Sequence, residues 1–331
     1  SDVYKRQPEF LAAALRRDQV LGVDPQTVSV AEARRLEGAL KTPGATLRLL
    51  EENLVDRIWT DRPAIPDGPV VVHPARFAGE SVASKLRRLR KKLKERQADA
   101  HVLTSLDAIA WLYNLRGRDV SYLPVFIAYA LVTAGGAELF LHEGKAGSAV
   151  ARALGSLVRI RPYEAFGPAL RELAARGGRV WFDEATSSRW IADLLQGCDL
   201  LAEPTPVGPM KAKKNPAEVA GMRAAHERDG AAMVRWLHWL EGEVPKGALT
   251  EISAADRLER FRAEGEHFRG LSFDAISGYA GHGAIIHYRV TPETDVPIRP
   301  EGIYLIDSGG QYLDGTTDIT RTVLVLSLIH I

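Results

Sequence analysis

The sequence predicts a multidomain protein of α/β and α+β type, on three observations. At 331 residues it exceeds what one hydrophobic core usually serves, so two or three domains are expected. Its first two thirds alternate short β-prone runs with helical stretches, the pattern of α/β domains. Its last third places two helices before a run of strand signals, the pattern of an α+β layer.

Residues 8–75 open with helical patterns, PEFLAAALRRD and SVAEARRLEGALK, and end in TDRPAIPDGPVVVHP. That proline spacing suits an extended linker. From Phe77 a helix sets Leu86, Leu89 and Leu93 on one face, and AHVLTS then reads as a short buried strand. Strand signals recur at PVFIAYALV, AELFLH, LVRI, RVWFD and CDLL, with the helical EAFGPALRELAARG among them. Residues 76–208 thus read as an α/β domain ending near EPTPVGPMKAKKNP. Residues 209–325 open with a long helix in which Asn215 is the N-cap, Pro216 the first helical residue and Glu218 the reciprocal partner of a capping box. A helix over about 251–264 then precedes strand signals at SFDAISG, GAIIHYRV, GIYLIDSG and TDITRTVLVL.

Charge is balanced, 43 Lys+Arg against 42 Asp+Glu, so no global field would draw nucleic acid or an anionic membrane. The longest nearly apolar run, 122–133, contains Pro124 and is too short for the ~20 residues of a membrane helix. The single cysteine, Cys198, fits a reducing, cytoplasmic setting and reads as a small packed residue. SDVYKRQ (1–7) and LSLIHI (326–331) resemble the translated ends of a transposon-based sequencing adapter. Both are set aside with His330, and 8–325 is expected to be an internal stretch of a longer reading frame.

The stretch IDSGGQYLDGTTDITRT, 306–322, puts Asp307, Asp314 and Asp318 among glycines and hydroxyls inside a β-prone hairpin. Asp-Gly at 314–315 is a turn signal, which explains Asp314 without further function. In a two-residue turn centred there Asp318 opposes Gln311, four positions from Asp307. Both carboxylates then share a face but sit about 13 Å apart, too far for a metal pair whose ions lie roughly 3.5–4 Å apart. A bulge at Gly309-Gly310 is therefore expected. A carboxylate among apolar strand residues needs a cation or donors. Spacing alone leaves open a divalent ion or pairing with Arg321, Arg289 or backbone amides.

YLIDSGGQYLDGTTDITRT resembles the metal-binding hairpin of aminopeptidase P, the Xaa-Pro aminopeptidases of the pita-bread metallopeptidase group. KNPAEVAGMRAAHERDGAAMVRWLHWLE, LSFDAISGYAGHGAIIHYRV and IAWLYNLRGRDV resemble further segments of that family, in the same order. The resemblance implies two creatinase-like N-terminal α/β domains, the first represented by 8–75, and a truncated pita-bread catalytic domain at 209–325. It implies hydrolysis of the N-terminal Xaa-Pro bond of peptides by a hydroxide that two divalent ions, typically Mn²⁺, activate. Asp307 and Asp318 correspond to the family's two aspartate ligands, Asp318 bridging both ions. The remaining ligands, one His and two Glu, lie beyond this hairpin, so the chain by itself is expected to be inactive. A homodimer is the family expectation. The same fold also serves prolidases, creatinase-like hydrolases and non-catalytic peptide-binding modules; retention of both aspartates favours an enzyme.

GHGAIIHY places His282 and His287 five apart, on opposite faces if the segment is a strand. The resemblance favours His287, whose counterpart lines the substrate pocket and hydrogen-bonds or shuttles protons, a role suited to imidazole. His282 stands only as a pocket-wall candidate. His226, His238, Trp236 and Trp239 read as packing or surface residues of the long helix, and the basic run KLRRLRKKLKERQ from Lys85 as a solvated helix face. Arg116 and Asp119 either close over the site or stabilise a turn.

Overall fold

A computed structural model describes residues 6–325. The terminal residues 1–5 and 326–331, His330 among them, lie outside the described residues, whereas Gln7 opens a helix, Gln7–Ala14. No helix among the described residues is long and apolar enough to cross a membrane. The described residues form two compact units, one of 6–72, 82–117 and 126–213, the other of 73–81, 118–125 and 214–325.

The first unit holds strands β1 (Val20–Val23), β2 (Thr46–Leu49), β3 (Val71–Val72), β4 (Ala100–Leu103), β5 (Leu115–Arg116), β6 (Ala128–Thr133), β7 (Ala137–Leu141), β8 (Arg159–Pro162), β9 (Arg179–Phe182) and β10 (Asp199–Ala202). Six of them make one mixed sheet in the order β10-β9-β4-β6-β7-β8. Separately, β1 and β2 form a parallel pair. Strand β4 is buried at every position, His101 included, as a strand inside a sheet covered on both faces is. The helix Phe166–Arg176 lays Phe166, Leu170 and Leu173 on the core with Val102, Val180 and Phe182.

One expectation fails in this unit. Leu86, Leu89 and Leu93 of the helix Val82–Glu95 are buried as predicted, but Lys85 is buried with them. Its ammonium donates to Trp111 O at 2.9 Å and Asn114 Oδ1 at 2.7 Å and sits 4.0 Å from the Trp111 ring centre. Acceptors and a π face replace water there, so the basic run is not solvated at its first residue.

The main segment of the second unit opens with the helix Pro216–Glu243, whose capping box is formed: the Glu218 amide donates to Asn215 Oδ1 at 3.0 Å and the Asn215 amide to Glu218 Oε2 at 2.9 Å. A second helix, Glu251–Ala263, follows. Strands β11 (Phe268–Leu271), β12 (Ile276–Tyr279), β13 (Ile303–Ser308), β14 (Gly310–Tyr312) and β15 (Ile319–Leu324) complete it. β12, β13 and β15 form one antiparallel sheet and β11 pairs antiparallel with β14. Tyr304 and Ile306 of β13 turn inward to pack with Trp236, Leu258 and Phe261 of the two helices. The alternate residues Leu305 and Asp307, with Thr320 and Thr322 across from them, form the sheet's other, more open face.

GAIIHYRV is not the strand its pattern predicts. Ala280–Ala284 is a 3₁₀ turn and the chain continues as a loop in which Ile286 is 86% exposed. The loop folds back over Gly278, where a Cβ would lie 2.9 Å from Gly283 N. Short apolar runs carry a strand signal without supplying a pairing partner.

In the first unit His101 is fully buried, its Nδ1 donating to Trp181 O and its Nε2 accepting from Thr205 Oγ1, both at 3.0 Å. Burial lowers its pKa to about 4. Between the unfolded value near 6.5 and the folded value the unfolded chain binds more protons, so this contribution to stability falls as pH drops from about 6.5 to about 4. Urea titrations across that window should show the loss, and His101→Asn should flatten that part of the profile.

Candidate metal centre

The hairpin is set by how its tip docks on the long helix. Asp314 Oδ1 accepts from the Arg228 guanidinium, and a Cβ on Gly221 would lie 2.4 Å from Asp314 O. Gly315 presses on the same helix, its Cβ position 2.8 Å from the Ala225 methyl. Beneath the tip, Arg262 and Asp229 are buried together, with Nε–Oδ1 at 2.6 Å and Nη2–Oδ2 at 3.2 Å. The Tyr312 hydroxyl donates to Asp229 Oδ1 at 2.8 Å. Burial, and then that hydrogen bond, push the Tyr312 phenol above its usual range, so it stays protonated as a donor.

This docking moves the turn by one residue. Tyr312 N donates to Gly315 O at 2.8 Å, making Leu313 and Asp314 the central pair instead of Asp314 and Gly315. Neither adopts positive φ, so the Asp-Gly signal is not used as a mirror-image turn; contact with the helix overrides local propensity. The register is uniform from Ile303↔Leu324 through Ser308↔Ile319 to Gln311↔Thr316. Carried through the gap, it sets Asp318 opposite Gly309, two positions from Asp307. The expected Asp318–Gln311 pairing is thereby corrected, and the two carboxylates become diagonal neighbours on one face, a relation that spans about 7–8 Å.

The expected bulge at Gly309-Gly310 is instead a pinch without a register shift. The Gly310 amide donates to Thr317 Oγ1 at 2.9 Å, while Thr317 O accepts from the Ser272 hydroxyl at 2.9 Å. A Cβ on Gly309 would lie 1.9 Å from Thr317 O. Only glycine allows this approach.

Asp307 is half-buried and Asp318 exposed. Thr320, directly across from Asp307, donates its hydroxyl to Asp307 Oδ1 at 2.8 Å. The arginines that might have neutralised these acids are engaged elsewhere: Arg321 donates to Thr320 O at 2.7 Å, and Arg289 lies 3.3 Å from Asp274. Two uncompensated carboxylates on one face, one of them oriented by a hydroxyl, are oxygen donors of the kind that a hard divalent cation takes. Among the described residues no third His, Cys, Asp or Glu joins them, so a closed coordination shell needs ligands beyond this pair.

His287 stands on the loop after β12, exposed and in the left-handed region at φ 55. His282 is drawn away from any metal role by Glu251, whose oxygens lie 3.0 and 3.1 Å from its Nδ1. Asp119 belongs to a segment of this unit, Arg118–Val125, in which Tyr122 O accepts from Gln311 Nε2 at 2.9 Å and the Tyr122 hydroxyl donates to Asp274. Arg116 lies in β5 of the first unit, with Nη1 on Ala110 O and Leu115 O. Sequence reasoning missed Asp229, Arg262 and Glu251. A charge at a buried helix position is the signal each carried, unreadable until the helix faces were known.

Comparison with known proteins bears on this arrangement. Residues 61–218 match the creatinase/prolidase N-terminal domain and residues 220–328 match metallopeptidase family M24. A probable Xaa-Pro aminopeptidase P of Paracoccidioides lutzii is 42% identical over 331 residues, covering 95% of this chain and 54% of its own length. The X-prolyl aminopeptidase of Caenorhabditis elegans, described as a cytosolic enzyme with a di-nuclear active site, aligns at TM-score 0.90 and 33% identity over 97% of this chain and 54% of its own. A Xaa-Pro dipeptidase of Bacillus anthracis shares the fold at TM-score 0.58 and 18% identity, over 75% of this chain and 66% of its own. The chain spans about half the length of the curated relatives it matches.

Removing Asp229 would strand Arg262, which is 1% exposed, without its counter-charge. Asp229→Ala should cost about 3–5 kcal/mol, read as a lower denaturation midpoint for the second unit. Gly309→Ala should open the hairpin at its pinch and be more disruptive than an alanine at the exposed Thr316.

Proposed function

We infer that the chain belongs to the M24 metallopeptidases, with a creatinase/prolidase N-terminal domain ahead of its metal hairpin, and we propose that the whole protein is a Xaa-Pro aminopeptidase. One observation carries the proposal: Asp307 and Asp318 share the open sheet face as diagonal neighbours and have no counter-cation among the described residues. The similarity to Xaa-Pro aminopeptidases at 42% and 33% identity supports it.

In this reading Asp307 and Asp318 hold two divalent ions, of which Mn²⁺ suits the hard oxygen donors. Bound there, the ions would activate water and polarise the scissile carbonyl. The chain's own residues supply orientation. Thr320 fixes the rotamer of Asp307 by donating to Oδ1, leaving Oδ2 to a cation. Gly309 and Thr317 hold the strands close, and the Tyr312–Asp229–Arg262 anchor keeps the tip from slipping. His287, exposed and with no side-chain hydrogen bond among the described residues, would donate to a substrate carbonyl or relay a proton. The preferred bond precedes proline, a tertiary amide without N–H.

We further propose a three-domain organisation with divisions near residues 75 and 208, a homodimer, and a cytosolic location like that described for the Caenorhabditis enzyme.

The full-length protein should bind Mn²⁺ in calorimetry with a stoichiometry near two per chain, and Asp307→Asn or Asp318→Asn should reduce that uptake. Either change should also slow cleavage of a Xaa-Pro peptide by roughly three orders of magnitude, since the ions contribute several kcal/mol to the transition state. Undiminished Mn²⁺ uptake by both variants would remove the reading, and metal-free peptide binding without turnover would point to a binding module instead.

A further inference from the structure

One carboxylate gathers the whole segment that carries His287. Glu251, the first residue of the helix Glu251–Ala263, is fully buried. Its oxygens are approached by three donors from one stretch of chain: the Tyr279 amide at 2.6 Å, His282 Nδ1 at 3.0 and 3.1 Å, and the Tyr288 hydroxyl at 3.4 Å. His282 also lies against Tyr288, ring centres 4.5 Å apart and 30° from parallel. The Glu251 carbonyl takes the Ser277 hydroxyl at 2.7 Å, which in turn meets Tyr304 Oη at 2.6 Å. Buried anions of this kind persist only when donors replace water around them. His282 is the one donor in the set whose side chain can carry positive charge.

The backbone of this segment has two turn hydrogen bonds of its own, Ile285 N to His282 O at 3.1 Å and Tyr288 N to Ile285 O at 3.2 Å, but it is also strained. Ala280 at φ 50 and His287 at φ 55 are both left-handed without being glycine, a conformation that costs of order 1 kcal/mol or more each and survives only when surroundings impose it. Ile285 and Ile286 are 52% and 86% exposed and so contribute little packing. Beside those two turn bonds, the shape is imposed by the ties to Glu251: the Tyr279 amide ahead of Ala280, His282 after it, and Tyr288 after His287.

We propose that His282 is a positioning residue: clamped on Glu251, it fixes the turn that presents His287 to the substrate. The proposal rests on the reading of His287 given above and goes beyond it by assigning His282 a part. Its effect is expected on the reaction and not on the metals, because neither His282 nor Glu251 bonds the hairpin acids in this structure.

The test uses the full-length, Mn²⁺-loaded enzyme with a Xaa-Pro peptide. His282→Ala should lower kcat/KM roughly tenfold or more, chiefly through kcat, since a displaced catalytic group loses its aligned geometry. Mn²⁺ stoichiometry should stay at the wild-type value, whereas the melting temperature should fall, because the buried Glu251 carboxylate loses a donor. His282→Asn, whose side-chain amide can reach the Glu251 carboxylate as Nδ1 does, should restore most of the rate. Wild-type kinetics for His282→Ala would overturn the proposal, as would an Asn variant as slow as the Ala one, or a fall in rate matched by loss of metal. His287→Ala serves as the separator: if it too turns over normally, the role of His287 itself is wrong, whereas a slow His287→Ala beside a normal His282→Ala removes only the positioning role.

Discussion

The second unit depends on one buried charge pair. Asp229 on the long helix and Arg262 on the following one are both almost wholly out of water, and the hydroxyl of Tyr312 joins them from the hairpin. Apolar residues of similar size could pack the same space with equal or better stability. What a charge pair with a fixed fork of donors adds is register: Tyr312 can satisfy Asp229 from one place only, and every residue of the hairpin is counted from there. The Arg228–Asp314 contact at the tip acts in the same sense. The distance between two acids several residues away is thus decided by contacts that neither acid makes.

Much of this was legible in the amino-acid order, for reasons that differ by element. The capping box at Asn215 and Glu218 was readable because both partners lie within four residues, and the leucine face of 82–95 because helical periodicity needs no partner. That the hairpin holds two acids in need of compensation was readable too, because carboxylates among β-branched residues stand out in the order itself. Its register was not. Asp314-Gly315 promised a turn one residue later than the one that formed, and the correction came from Gly221 and Ala225, some 90 positions earlier in the chain. GAIIHYRV misled in the opposite way, since its apolar run implied burial while the tether to Glu251 made it a loop.

Lys85 shows the same limit in another form. A run of cations reads as solvated because each alone prefers water, yet the first of them finds Trp111 of the helix Leu106–Leu112 and Asn114 just beyond its end. Only the folded arrangement brings those acceptors near. Where a residue's neighbours are distant in the chain, composition gives the average outcome and misses the particular one.

The tight seams at Gly221 and Gly309 also bear on how such a molecule can diverge. A single methyl group at either would meet backbone oxygen, at 2.4 and 1.9 Å respectively, so these sites are closed to drift. The solvent-side positions of β15, such as Thr322, and the loop tip at Ile286 carry no comparable restriction. Substitution is therefore cheapest on surfaces away from the seams, and the spacing of the two acids is guarded by positions where a methyl group does not fit.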